Sequence, residues 1–321
     1  MNFSEYKFRA SQCHLLMTGT IGLTDIQEQE LEALVGEQKT GINTNGNKVK
    51  WTPTKDAKLK ELQEKKVNRE LPKTMQTELR KLWRAEIFKR NFVWTNKFVQ
   101  KGKLQEDEAV TMYQDYRNEI LGVKTFFKTS DDVKIRLKNE WFSGEPDLVD
   151  TNDFNKCNEG FDVKSSWSLD TFPFPEDKLS NAYYCQNQVY MNLTNTKKWT
   201  TAFCLVNGTE HLVNNEKQKH FYALNMPGSF EDEHYDDYLN KCRDVEKMMI
   251  FDQKRFIDVN PFHNLEIEPA EWQGEGYDIP LKDKVIEKIS TYDENYIEDL
   301  KERILIARKY LNQLSEQSGK L

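Results

Sequence analysis

The sequence predicts a mixed α/β (α+β) fold: a central mixed sheet flanked by helices, with a helical insertion near the N-terminus and a long C-terminal helix. Three observations predict it. Short β-rich runs bounded by turn residues gather between residues 123 and 205, while stretches with a helical period lie before and after them. The composition, 37% hydrophobic and 31% charged, includes 18 Phe, 13 Tyr and 7 Trp, which supplies the bulk a core needs. A length of 321 residues suits one large domain with elaborations, here drawn as residues 1–260 followed by a linker and helical extension over 261–321.

In chain order, Phe8 to Met17 reads as a helix entered through Ser11, with Cys13, Leu16 and Met17 turned inward. Arg9 and Ser11 stand at its mouth, where a guanidinium, a hydroxyl and backbone N–H groups can meet a phosphate. Leu23 to Val35 is a short acidic helix, and Gly36 to Asn47 a polar loop. Two basic helices follow, about Lys55–Arg69 and Lys73–Asn91, parted at Leu71-Pro72 and carrying Trp83, Ile87 and Phe88 as a buried stripe. Between Lys48 and Lys103 there are 17 Lys and Arg against 6 Asp and Glu, so a net charge of −7 divides into +11 there and −18 elsewhere. That asymmetry suits a face that holds a polyanion, or a solvated helical surface.

The next helix, Leu104 to Leu121, places Glu106, Ala109, Tyr113, Tyr116 and Ile120 on one face. A carboxylate on an inward face needs a partner, so Glu106 is either a buried ion-pair member or a third acid for a metal site. Val123–Phe127 and Val133–Leu137 read as strands. Gly144-Glu145-Pro146-Asp147 is a turn that enters a strand at Leu148-Val149, and the polar stretch from Thr151 to Gly160 reverses the chain into Phe161–Ser165. These four strands form a mostly antiparallel sheet. Alternation puts Phe161 and Val163 in the core and Asp162 and Lys164 together on the opposite face. Two carboxylates and an ammonium at one spot suit phosphodiester hydrolysis, because a hard cation prefers carboxylate oxygens and an amine can orient water or offset charge. A solvated surface pair gives the same pattern.

After an aromatic loop, Trp167 to Asp177, a helix over Ser180–Thr194 carries Gln186 and Gln188. Trp199–Leu205 has the character of a central strand, with His220–Leu224 as its edge partner. The acids of Glu231–Asp237 around His234 read as the N-terminus of a helix reaching about Phe256. Beyond a linker from Pro261 to Pro280, Lys282 to Leu314 is an amphipathic helix whose seam includes Val285, Ile289, Tyr292, Leu300 and Leu311. Five scattered cysteines, with no C-x-x-C, indicate reduced thiols rather than a disulfide frame or zinc site. No apolar run approaches a membrane span and the first residues form no apolar leader, so a cytoplasmic location is expected.

Taken together, Arg9-Ala10-Ser11 with His14, Lys101–Glu106 with Ala109, Glu145-Pro146-Asp147, Asp162-Val163-Lys164 and Gln186-Asn187-Gln188 resemble, in order, the motifs of the lambda-exonuclease or YqaJ type of phage recombination exonuclease, within the PD-(D/E)xK nuclease superfamily. The resemblance covers roughly Arg9 to Ile250. It implies a restriction-endonuclease-like core and a catalytic set of Asp147, Asp162, Lys164, Glu106 and Gln186. It places magnesium, with manganese as substitute, on Asp147, Asp162 and the carbonyl of Val163, supported by Glu106. It gives Lys164 the attacking water, and Arg9, Ser11, Ser165 and Gln188 contacts to DNA phosphate.

The same resemblance implies double-stranded DNA ends as substrate, 5′-to-3′ digestion, a single-strand annealing partner, a ring-shaped homotrimer, and the cytoplasm of a bacterial host if phage-encoded. Two departures stand out. Asp162 occupies a position where the family usually has Glu, and the segments Thr18–Val99 and beyond Pro261 are weakly covered. The iron-sulfur relatives are disfavoured, since they need three cysteines close together near the C-terminus. An endonuclease or nickase of the same fold and a non-catalytic DNA-binding module are the alternatives.

Overall fold

The computed structural model describes residues 2–69, 71–90, 97–123, 136–151, 156–224, 235–252 and 278–319. The chain divides into two compact units, Met1–Phe92 with Asn295–Leu321, and Val93–Glu294.

The first unit is helical. A two-residue strand β1 (Phe8–Arg9) leads into a 3-10 helix over Ala10–Met17, whose N-cap is Arg9 rather than Ser11. Helix α1 (Asp25–Thr40) opens with a capping box between Thr24 and Gln27, and ends only at Gly41, where a φ of 68° suits glycine. It therefore runs through Gly36 and past the expected end at Val35. Helices α2 (Pro53–Asn68) and α3 (Lys73–Phe88) match the two basic helices expected. Leu31 of α1 packs with Leu23, Leu59 and Leu62, while α3 buries Met75 and Leu79; Phe88 is 54% exposed, so the expected stripe is offset along the helix.

Many of the basic side chains are matched locally. Lys55 pairs with Glu37, Lys60 with Asp56, Lys66 with Glu28, Lys81 with Glu78 and Arg69 with Glu302. The C-terminal helix (Glu294–Gln317) buries Ile297, Leu300, Ile304, Ala307 and Leu311, one face at helical spacing.

The second unit is built on a sheet. Helix α4 (Lys97–Leu104) is followed by α5 (Glu106–Asp115), which ends in a π-turn over Tyr116–Ile120, so the single helix expected from Leu104 to Leu121 is broken at Gln105. Strands β2 (Leu137–Lys138) and β3 (Phe142–Gly144) pair as an antiparallel hairpin. Strands β4 (Leu148–Val149), β5 (Glu159–Ser165), β6 (Lys198–Cys204) and β7 (Val285–Thr291) form the main sheet in that order. β4 runs antiparallel to β5 with Leu148 opposite Phe161, β5 parallel to β6, and β6 antiparallel to β7.

The sheet is thus mixed rather than mostly antiparallel. α5 lies on the face carrying Phe161, Val163, Ala202 and Cys204, and α6 (Asn181–Thr194), capped by Ser180, lies on the other. Gly160 allows the Trp199 indole to cross it, since a Cβ there would sit 2.1 Å from the ring.

Two further expectations change. His220–Leu224 is not an edge strand: it closes helix α7 (Glu210–Ala223), capped by Thr209 and packed on α8 (Tyr235–Met249). The edge partner of β6 is instead β7, cut from a segment expected to be helix. Its β-branched residues suit a strand, and burial of Val285, Lys288 and Ser290 against exposed Ile289 follows the sheet. Most of the expected strands over 123–127 and 133–137, the acids Glu231 to His234, and most of the linker over 261–280 lie outside the described residues; Leu137, the end of the second expected strand, opens β2. Among the described residues no helix is long and apolar enough to cross a membrane.

Candidate active site

The site is assembled where β4, β5 and α6 converge. Asp147 follows the turn after β3, and its Oδ2 accepts a hydrogen bond from Val163 N at 3.1 Å, which ties the turn to β5. Asp162, one residue earlier on β5, is 1% exposed. Its Oδ2 receives no directed hydrogen bond, yet lies 2.6 Å from Lys164 Nζ as an ion pair. Gln186 Nε2 approaches the other oxygen at 3.4 Å and donates to Tyr190 Oη at 3.0 Å. Tyr190 Oη in turn donates to the Glu145 carbonyl at 3.0 Å, so α6 braces both the strand and the turn.

Charge explains the pairing. Burial, and then the facing Asp162 carboxylate, hold the Asp147 carboxyl well above the usual carboxylate range, against the opposing pull of Lys164. At Lys164, burial favours the neutral amine, but Asp162 and Asp147 outweigh it and raise the ammonium's pKa. Lys164 therefore stays charged, 5.5 Å from the Tyr183 ring centroid.

Asp147, Val163, Lys164, Ser165 and Glu106 line one cleft of about 560 Å³, whose walls also include Phe98, Gly102, Lys103, Ser166, Trp167, Thr171, Tyr183 and Phe203. Glu106 thus faces the same space as the Asp147 carboxyl. It does not complete a tight acidic cluster: among the described residues no three His, Cys, Asp or Glu side chains gather closely enough to hold a metal by themselves. Ser165 Oγ is 3.4 Å from the Gln105 carbonyl at the cleft wall.

Gln188 is elsewhere. It is fully buried, with Nε2 donating to the Thr291 carbonyl at 2.7 Å and Oε1 accepting from Asp293 N at 2.8 Å, so its amide is occupied in joining α6 to the end of β7 rather than facing phosphate. Arg9 and Ser11, both exposed, belong to the first unit.

The donors suit a hard divalent cation. They are oxygens only, one of them a buried carboxylate oxygen with no directed hydrogen bond, beside a second carboxyl whose pKa is raised by burial and then by the facing Asp162. Magnesium commonly takes one or two carboxylates and completes its shell with water, so two carboxylates and the Val163 carbonyl fit it.

No protein-family model matches the chain, and no curated protein matches it. Among solved structures, a phage-related exonuclease from Haemophilus somnus 129PT superposes with a TM-score of 0.52 at 18% identity, covering 98% of this chain and 97% of that one. The fold is that of a phage-related exonuclease. An alkaline exonuclease from Laribacter hongkongensis, LHK-Exo, aligns over 99% of this chain and 95% of its own with a TM-score of 0.46 and 9% identity; its complex with dAMP gives 0.45. That likeness agrees with the mixed α+β fold and long C-terminal helix that the sequence predicted.

Tyr190 was not among the sequence candidates. The signal was present, because it stands four residues after Gln186 and shares its helical face. Lys101 was also missed as an anchor: wholly buried, its Nζ donates to the carbonyls of Trp167 and Val206, each at 2.9 Å. Nothing in the local sequence marks which of the three lysines of α4 turns inward.

Proposed function

We propose that this chain is a magnesium-dependent exonuclease that digests one strand of linear duplex DNA from its ends, 5′ to 3′, and leaves a single-stranded tail. The observation that carries it is the buried Asp162 with Lys164 Nζ 2.6 Å away and Asp147 facing it, Asp147 and Lys164 both lining a cleft of about 560 Å³. The exonuclease fold supports the choice among nucleases. Asp147, Asp162 and the Val163 carbonyl would hold magnesium or manganese, with Glu106 in support. When bound, the cation neutralises the scissile phosphate and lowers the pKa of a water toward neutrality.

The chain's own groups do the rest. Lys164 keeps its proton and so offers a fixed positive charge and a donor for the attacking water or the developing phosphorane charge. Gln186 holds Asp162 in place, and Tyr190 holds Gln186 and the Glu145 carbonyl. Because burial and the facing Asp162 raise the Asp147 pKa, a cation held there would favour its ionised form, and binding would release a proton. Ser165 would meet a phosphate oxygen at the cleft, and Arg9 with Ser11 a terminal phosphate. Assembly into a ring trimer and delivery of the tail to an annealing protein complete the proposal.

End-labelled linear duplex beside closed-circular plasmid, each with magnesium or chelator, tests it. The expected result is stepwise release from the 5′ label of the linear DNA alone, only with metal. Nicking of the circle assigns an endonuclease of the same fold instead, and equal digestion in chelator overturns the metal.

A further inference from the structure

Phe98 is an apolar ring left in water beside the candidate active site. It stands on α4, lines the cleft with Asp147 and Lys164, and is 50% exposed. Edge-to-face packing on Trp167, with centroids 5.6 Å apart at 70°, holds its ring without covering it. Trp167 also lines a second concavity of about 350 Å³, walled by Lys97, Lys219 and Tyr222. There Tyr222 is 71% exposed. Lys97 Nζ sits 4.6 Å from the Trp167 ring centroid. One acid, Glu216, faces these two lysines, 3.4 Å from Lys97 and paired with Lys219, so the groove keeps a positive balance.

A single exposed apolar side chain is ordinary. Two exposed rings, one in each concavity that Trp167 lines, with lysines beside them and a carboxylate–lysine centre at one end, form the pattern that binds single-stranded nucleic acid: faces for bases, cations for the backbone. We infer that Phe98 is a base-stacking platform, and that the strand whose phosphate enters the Asp147/Asp162/Lys164 site passes over Phe98 and Trp167 into the groove beside Tyr222. The inference rests on the proposed nuclease reading only for which phosphate lies at the carboxylates. The ligand class is an unpaired polynucleotide strand, recognised through base faces rather than base edges.

Anisotropy of labelled oligothymidylate, of about 4 and about 12 nucleotides, with the full-length protein in chelator reads the platform directly. Phe98→Ala should weaken both oligonucleotides roughly tenfold, Phe98→Trp should restore them, and Tyr222→Ala should weaken the longer one alone. An oligomer of abasic units should bind the wild type weakly and lose nothing further in Phe98→Ala. Wild-type affinity in Phe98→Ala, or an equal abasic penalty in both proteins, overturns the inference. Hydrolysis of linear duplex with magnesium is scored separately. Activity without a Phe98 effect on binding keeps the nuclease and sinks the platform; a Phe98 effect without hydrolysis does the reverse.

Discussion

At the scale of residues, the site is a balance of like and unlike charge. Asp162 is nearly inaccessible and is tolerated there because Lys164 compensates it, while Asp147 is left with a raised pKa. Lys164→Ala removes the compensating charge and the donor together, and should lower kcat by at least about a hundredfold. DNA binding in chelator and an unchanged circular dichroism spectrum separate lost chemistry from lost fold. Retained activity in this variant removes Lys164 from the mechanism.

Lys101 gives a second test at this scale. Burial lowers its pKa from the ordinary 10.5 to about 7, with Glu108 opposing. Between pH 7 and about 10 the unfolded chain holds a proton that the native state lacks, so this residue makes stability rise with pH, by up to about 1.4 kcal/mol per unit. Below pH 7 both states hold it and the slope vanishes. Lys101→Met removes the titration, so the wild-type minus variant difference in unfolding free energy should climb between pH 7 and 9. A constant difference would show that Lys101 is charged throughout.

At the scale of elements, α6 organises the site through one face and the sheet through another. Gln186 and Tyr190 meet the catalytic pair and the turn. Asn187 donates to Thr201 and Ser290, and Gln188 binds the end of β7. Tyr190→Phe deletes the hydroxyl alone. It should cost about 1 kcal/mol in denaturant unfolding, yet reduce kcat more than that loss explains, because Gln186 and the Asp147 turn lose their common brace. Equal, small losses in both would reduce Tyr190 to packing.

The legibility of these elements follows from how local their causes are. The turn at Gly144–Asp147 and the alternation over Phe161–Lys164 depend on near neighbours, so both were readable, as was α6 from its Ser180 cap. β7 was not, because Val285 and Ile289 are spaced four apart and so fit a helical face as well as a strand; only pairing with β6, 93 residues away at Lys198↔Thr291 and 81 at Cys204↔Val285, decides between them. Gln188 failed for a similar reason: two glutamines on one helix differ only in which distant backbone each meets. α7 was misread because His220–Leu224 looks β-like when taken without the polar helical run before it.

At the scale of the whole molecule, the basic stretch and the site belong to different physical accounts. Most cations of α2, and Lys81 of α3, pair with acids of their own unit, so excess charge in the sequence overstates the charge that surface offers to DNA. At the carboxylate pair, in the other compact unit, a single ammonium faces two carboxyl groups, and that location makes a calorimetric prediction. A cation that binds the native site and not the unfolded chain stabilises by RT ln(1 + [L]/Kd), about 2.7 kcal/mol at a hundredfold excess over Kd. Manganese or magnesium should therefore raise the melting temperature of the wild type, and raise it more at pH 8 than at pH 5.5, since protons compete for the Asp147 carboxyl. Asp162→Asn should abolish the rise. Arg69→Ala, in the helical unit and paired only at the surface with Glu302, should keep it. A melting temperature indifferent to both metals, or a rise that survives Asp162→Asn, would place the cation elsewhere.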